Sequence, residues 1–413
     1  LIDFSPQLPM NPTTSSRRQF ISRAASAGFL ITSSRIAFGS QANSKIRLGV
    51  IGGGGRGTFT TEQFVNHGGY EIAAVADAFQ DKADAFGERY QVAKERRFVG
   101  LDAFQQMLAK DTVDAVHVVS PSYFHNEQAA AAVDAGKHVF VAKPIAIDVP
   151  GIRTFEETAK LADSKGLTFM VDFQTQGDDL YVEGIKRVNE GALGDLMFGE
   201  GFHHMGRLAR QAEDGTPGAR LRNWVFDKAL SGDIIVEQNI HSIDVMVRLM
   251  NAAPLKATGH GGRKGRVDVG DCWDHFALMF DFPENVPWTY TSRQFDPGGV
   301  PGGMVNNLIG SKGAFLSKFG GDIMIRGGKD TFWRGGKNPN IYKTGTDTNI
   351  ARFAAAIHGG DKAITKSTVP LAARSTLTAI LGRNAAYNHG TLTWDELLKD
   401  TARFEVDAAT LLK

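Results

Sequence analysis

The chain has 413 residues, of which 42% are hydrophobic and 22% charged, and its 46 basic and 45 acidic side chains leave a formal net charge of +1. That length fits one large or two ordinary globular domains, and the charge balance argues against a nucleic-acid or membrane-surface partner. A single cysteine, Cys272, excludes an intramolecular disulfide, and no apolar run is long enough to span a bilayer.

The first element in chain order is not part of the fold. "TTSSRRQFISRAASAGFLITSSRIAFGS" places Arg17 and Arg18 before Phe20 and Ile21, and a soft apolar run from Ala24 to Thr32 follows. This resembles a twin-arginine export signal, which implies delivery of an already folded protein to the periplasm. Ala37 and Gly39 suit a cut before Ser40, and a cut after Ala42 is the alternative. Residues 1–9, ahead of Met10, read as a segment upstream of the natural start. The competing reading of residues 1–42 is a disordered basic arm, and the two are compatible, since an uncleaved arm could wrap a neighbouring subunit.

Folded sequence begins near Lys45. In "KIRLGVIGGGGRGTF" a short strand runs into Gly52, Gly54 and Gly57, which fit G-x-G-x-x-G, and a helical stretch from Thr58 to His67 follows. "YEIAAVAD" is a second strand, and it ends at Asp77, about 20 residues beyond Gly57. A glycine motif alone says little in a chain with 47 glycines. Strand, glycines, helix, strand and acid in register form the pattern of a dinucleotide site. Gly52 permits the tight turn, Gly54 lets backbone approach a pyrophosphate, and Gly57 lets helix pack on strand. The helix N-terminus, with Arg56, offers amides and positive charge to phosphates. Asp77 would accept hydrogen bonds from ribose hydroxyls and repel a 2′-phosphate. Ala78 supplies no arginine beside it, so NAD is favoured over NADP, although Lys82 is a nearby cation.

The alternation continues. "DAVHVVSPSYFH" is a strand with a turn at Pro121 and a helix through Asp134. "HVFVAKP" is the next strand, a helix runs from about Val149 to Lys165, and "LTFMVDF" follows. Strands alternating with helices predict an α/β fold with a doubly wound parallel sheet over residues 43–172. Ligands of such sheets bind at the carboxyl ends of the strands, where Gly52, Asp77, Ser120 and Lys143 all fall.

"VVSPSYFH" followed by "AGKHVFVAKPIA" resembles the Gfo/Idh/MocA family of glucose–fructose oxidoreductase and inositol dehydrogenase. That family shows a Thr/Ser-Pro turn, a nearby histidine and then Glu-Lys-Pro. The resemblance runs from Lys45 to about Lys399, specific in the first half and looser in the second. It implies that Ser120, Pro121, His125, Lys143 and Gln174 lie around the cofactor and that the Lys143–Pro144 bond is cis. The chain departs from the pattern at Ala142, where relatives carry glutamate.

The second half contains "SGDIIVEQNIHSIDVMVRLM", similar to the family's G-G-x-x-x-D-x-G-x-H-x-x-D. Gly232 opens it, Glu237 stands in the aspartate position and His241 in the histidine position. On one continuous helix Glu237, His241, Asp244 and Arg248 would form a polar stripe beside Ile240, Ile243 and Val247. A solvated face is the ordinary meaning of such a stripe. The resemblance implies catalysis instead. His241 would serve as base, Lys143 would stabilise the alkoxide, and Glu237 would orient the imidazole or bind a sugar hydroxyl.

From Phe173 the pattern changes. "LMFGEGFHH", "WDHFALMFDF", "WTYTSRQF", "NNLIGSKGAFLSK" and "DIMIRGG" read as strands of an α+β domain over residues 173–413, with a large, mainly antiparallel open sheet and helices on one face. A helix near Leu371 to Asn388 is expected to return to the first domain. "RGGKDTFWRGGKNPNIYKTG" reads as a long surface loop. His203, His204, Trp224 and Arg293 are candidate sugar contacts. His203 and His204 are adjacent on a strand and face opposite ways, so no metal site is assigned. The resemblance implies that the outer sheet face joins subunits into a homodimer or tetramer.

The expected activity is NAD-dependent hydride transfer at a hydroxyl carbon of a sugar, polyol or glycoside. In an exported protein a tightly held cofactor, reduced by one sugar and reoxidised by another, would meet the scarcity of free NAD. The alternatives are an NAD-dependent glycoside hydrolase using transient oxidation and a non-catalytic sugar-binding paralogue.

Overall fold

A computed structural model describes residues 44–413. The export signal expected in residues 1–42 lies outside the described residues. The first sheet is built from β1 (Ile46–Ile51), β2 (Tyr70–Asp77), β3 (Arg97–Val99), β4 (Ala115–Val118), β5 (His138–Ala142) and β6 (Phe169–Asp172). Its order is β3-β2-β1-β4-β5-β6 and every pair is parallel. Helices cover both faces, so the central strands are buried; β4 is buried at all four positions, His117 included. The chain winds outward from β1 to β3 and returns to β4, which opens a crevice at the carboxyl ends of β1 and β4.

Two helices matter most for that crevice. Helix α1 (Gly55–His67) follows β1 directly. Helix α2 (Val149–Ser164) follows β5, with Asp148 as N-cap accepting from Gly151 N at 2.7 Å and Pro150 in its first turn.

The second sheet has nine strands. Its central strands include β7 (Leu196–Met205), β8 (Lys256–Gly262), β9 (His275–Phe282), β10 (Val286–Gln294) and β11 (Gly303–Gly310). It is antiparallel except where β7 pairs with β10 in parallel, a consequence of the long excursion the chain makes between them. Inward and outward residues alternate: Phe276, Leu278, Phe280 and Phe282 are buried, whereas Ala277 and Met279 are exposed. Helix α3 (Ile240–Met250) packs on the inner face.

The sequence "RGGKDTFWRGGKNPNIYKTG" is not the loop expected. It holds an edge strand (Trp333–Lys337) and the start of helix α4 (Ile341–Ile357), which lies against α1. Gly335 and Gly336 sit in the strand, and the helix is hard to read because its buried face includes Gly345, Thr346 and Asn349.

The last long helix, α5 (Ala363–Tyr387), begins eight residues before the expected Leu371 and runs through Pro370. Proline removes one helical hydrogen bond, but burial between the two sheets carries the helix through it. Helix α5 touches β6 and β8, and Thr368 Oγ1 accepts from Val171 N at 3.0 Å.

Candidate active site

The turn after β1 is fixed by sterics. Gly52 has φ +108°, and a Cβ there would lie 2.8 Å from Val119 O. A Cβ at Gly57 would stand 1.9 Å from Gly52 O, so α1 can approach the strand only with glycine at that position. Gly57→Ala is therefore expected to cost about 1–3 kcal/mol or more and to abolish dinucleotide binding. Urea unfolding and a nucleotide titration check this; unchanged stability and affinity would contradict the packing role.

Gly54 and Gly55 are different. A Cβ at either meets nothing within 4 Å, and the helix has no side-chain cap. The first amides of α1 thus face open space, the arrangement that suits a pyrophosphate. Asp77, at the end of β2, accepts from Gly53 N (2.8 Å) and Phe79 N (2.9 Å), which hold its carboxylate at the crevice. Burial pushes its pKa up, against the pull of those two amides. Gly52, Gly54, Arg56, Asp77, Ser120 and Pro121 all line one cleft of about 570 Å³. These residues fit a dinucleotide.

A smaller cavity of about 140 Å³ adjoins this cleft and shares Arg56, Ser120, Trp224 and Glu237 with it. Lys143, Gln174, His125 and His241 also line it, with Tyr342 from α4. Lys143 follows β5 and the Lys143–Pro144 bond is cis. Its Nζ donates to Glu237 O (2.5 Å) and Glu237 Oε1 (2.8 Å), and the two side chains are only 14% and 13% exposed. Glu237 therefore engages the lysine, not the imidazole it was expected to orient. Nor is there one continuous helix. A single turn ends at Glu237, and α3 starts afresh at Ile240.

His241 still faces the same cavity. Its Nδ1 is buried with no partner in the protein, and its ring lies near Phe173 and Phe319. Burial first, then Lys143, His203 and Arg56, hold its pKa well below the usual value. The ring is thus neutral near pH 7 and can accept a proton. Asp244 is not on a solvated stripe. It is fully buried and accepts from Thr175, Gln176 and Ser375.

Several of the candidates that line these cavities are also bonded to the protein around them. His125 is buried, with Nδ1 2.7 Å from Pro144 O and Nε2 2.9 Å from Ser120 O, so it braces the two turns against each other. Ser120 Oγ donates to Gln128 Oε1 at 2.5 Å. Arg56 Nη2 donates to Asp172 Oδ2 at 2.6 Å, and its guanidinium lies over Tyr342. Gln174 is buried near Thr346, with its Oε1 unpartnered in the protein. Ala142 lines the smaller cavity.

Of the four sugar-contact candidates, Trp224 lines both cavities. His203 is buried on the inner sheet face with both ring nitrogens unpartnered in the protein. His204 is on the outer face, bonded to Thr291 and stacked on Phe202. Arg293 is also turned away from the crevice. It is spent on the carbonyls of Phe295, Val300 and Pro301, where it pins the following loop. Strand alternation is the reason: in "WTYTSRQ" the buried Trp288 and Tyr290 mark the inner face, which Ser292 and Gln294 share. Ser292 Oγ and Gln294 Oε1 are buried and unpartnered in the protein, and Gln294 Nε2 donates to Gln238 Oε1 at 2.6 Å. Reading that alternation in the sequence would have found them.

Comparison with known proteins agrees with this architecture. The sequence profile of an oxidoreductase family with an NAD-binding Rossmann fold matches residues 46–173, and that of the GFO/IDH/MocA C-terminal domain matches residues 182–316. The chain is 26% identical over 222 residues to scyllo-inositol 2-dehydrogenase (NAD(+)) of Bacillus subtilis, covering 52% of this chain and 57% of that protein. It is 30% identical over 161 residues to an alpha-N-acetylgalactosaminidase of Shewanella oneidensis, covering 38% and 34%. These matches span from a third to somewhat over half of the relatives' lengths. The structure of levoglucosan dehydrogenase with NADH and levoglucosan superposes with a TM-score of 0.67 at 16% identity, over 85% of this chain and 99% of that one, a likeness of fold. With profiles of both halves matched, the glycine turn and Asp77 lining one cleft and the Lys143 strand end lining the cavity that adjoins it, the chain belongs to the GFO/IDH/MocA oxidoreductase family and carries an NAD-binding Rossmann domain.

Proposed function

We propose that the protein is an NAD-dependent dehydrogenase acting on a hydroxyl-bearing carbon of a sugar, polyol or glycoside. The observation that carries this reading is the meeting of Lys143, Glu237 and His241 in a cavity that shares walls with the dinucleotide cleft. Bound NAD supplies the hydride acceptor. Lys143 has an N–H to offer a substrate oxygen beyond its two bonds to Glu237, and its charge favours the developing alkoxide. Neutral His241 takes the hydroxyl proton. Trp224 offers a flat apolar face to a sugar or cyclitol ring. The Bacillus relative bears the name of an inositol dehydrogenase, which supports a cyclic polyol.

A second reading is favoured by the Shewanella relative. Transient oxidation of a glycoside, loss of the aglycone and return of the hydride would give hydrolysis without net redox change. One experiment separates the two. With NAD and a panel of cyclitols, aldoses, anhydrosugars and nitrophenyl glycosides, NADH accumulation is expected from a free polyol. Nitrophenol release without NADH would favour the hydrolase. Neither signal from protein that binds NAD would leave a non-catalytic sugar-binding paralogue and sink the proposal.

The proposal extends to the setting. The Arg17–Arg18 segment would export the folded protein to the periplasm, and the outer sheet face would join it into a dimer or tetramer. Its cofactor would be reduced by one sugar and reoxidised by another without leaving.

A further inference from the structure

We propose that residues 206–226, with the carboxyl-terminal tail, form a strap that closes over the adenosine end of the dinucleotide cleft and sets the rate at which NAD is released. The cleft has two walls of different origin. Asp77, Phe79 and Leu101 come from the Rossmann sheet; Leu208, Leu221 and Arg222 come from the segment between β7 and α3. The second wall lies opposite the acid expected to bind ribose, so a dinucleotide seated on Asp77 is enclosed between them.

The strap is latched. The Arg222 guanidinium grips Asp81 through two hydrogen bonds (2.6 and 3.0 Å) and lies 3.9 Å over the Phe79 ring. Leu221, Leu230 and Leu411 form a buried cluster against Ala78, Phe79 and Leu101. Gly218 N donates to Lys413 O at 3.1 Å, tying strap to tail. The strap is also stiff. Asn223 Oδ1 accepts from Gln211 N and Ala212 N, and its Nδ2 donates to Ala212 O. The contacts with Ala78, Phe79, Asp81 and Leu101 land within four residues of Asp77 or on the loop after β3. A cofactor anchored by Asp77 therefore leaves only after the Arg222 latch and the leucine cluster have parted.

This inference rests on the cofactor and not on the proposed substrate, and its test contains no sugar. Protein loaded with NADH is mixed with excess NAD, and release is followed as the decay of NADH fluorescence. Arg222→Ala removes both the ion pair and the ring contact. Asp81→Asn is nearly isosteric and weakens only the ion pair. Release is expected to be about tenfold faster in R222A and about threefold faster in D81N, with melting temperatures close to wild type. If R222A does not fold, D81N carries the test alone. Folded variants that release NADH at the wild-type rate would overturn the strap. So would wild-type release that is complete within the mixing time. A protein that retains NADH behind the strap yet oxidises no polyol refutes the proposed activity and leaves the strap standing.

Discussion

Lys143→Met is expected to lower the rate of hydride transfer by about 10³-fold while changing NAD affinity by less than about tenfold. Methionine keeps the length and apolar stem of the side chain and removes the ammonium, so the loss isolates charge and hydrogen bonding. Lys143 lines the smaller cavity and not the dinucleotide cleft, which is why cofactor affinity should survive. Its partner complicates a single substitution. Glu237 would be left as a poorly solvated carboxylate without its cation, a costly state in its own right. The double variant Lys143→Met, Glu237→Gln removes that burden, and the two changes should be non-additive because the residues act as a unit. Single-turnover NADH formation, with a substrate identified in the polyol panel, is the measurement. A K143M protein keeping more than a tenth of wild-type activity would remove the lysine from the mechanism.

The same pair shows how far the sequence reached. The strand ends were legible because each is announced locally: an apolar run, then glycine, aspartate or lysine-proline where the crevice must be. The partner of Lys143 was not, because it lies 94 residues away and is brought there by the fold. Relatives place a glutamate beside the lysine in sequence. Here that position is Ala142, and a carboxylate reaches the lysine from Glu237, at the end of a helical turn in the other half of the chain. The break at Gln238–Asn239 that allows this carries no proline or glycine to betray it. Arg293 illustrates a simpler point. Polarity singled it out, but the period of two puts it on the outer face of the sheet and the quieter Ser292 and Gln294 on the inner one. The strap was invisible for a third reason. Its residues act through contacts with Ala78, Phe79, Asp81 and Leu101, more than a hundred positions earlier. The helix carrying Tyr342 and Thr346 hid within a stretch whose glycines suggested a loop.

The buried histidines lead to a second expectation of comparable size: the protein should lose stability steeply just below neutrality. His117 is fully buried between Thr60 and the Phe140 carbonyl, and burial drives its pKa down to about 3. His203 is likewise held at about 3, chiefly by burial with Lys143 adding to it, and His241 lies well below its usual value. In the unfolded chain each titrates near 6.5, so the unfolded state takes up protons that the native state refuses. The stabilisation is complete above pH 6.5 and is lost as pH falls toward the native values, at about 1.4 kcal/mol per pH unit per histidine. Asp233 acts in the opposite sense. Burial raises its pKa to about 6, despite the hydrogen bond from Tyr387, so its protonation stabilises the native state as pH falls from 6 toward 3.8. One histidine's loss is thereby offset, and Asp77 and Asp244, whose pKa values burial also raises, act in the same sense as Asp233. Between pH 6.5 and 5, His117→Gln should recover about 2 kcal/mol of the wild-type loss, and Asp233→Asn should make the decline steeper. Urea denaturation at half-unit pH intervals reads both slopes. A H117Q protein whose stability falls with pH as steeply as the wild type would show that this imidazole is protonated in the native state after all, and that burial between Thr60 and Phe140 does not exclude the charge.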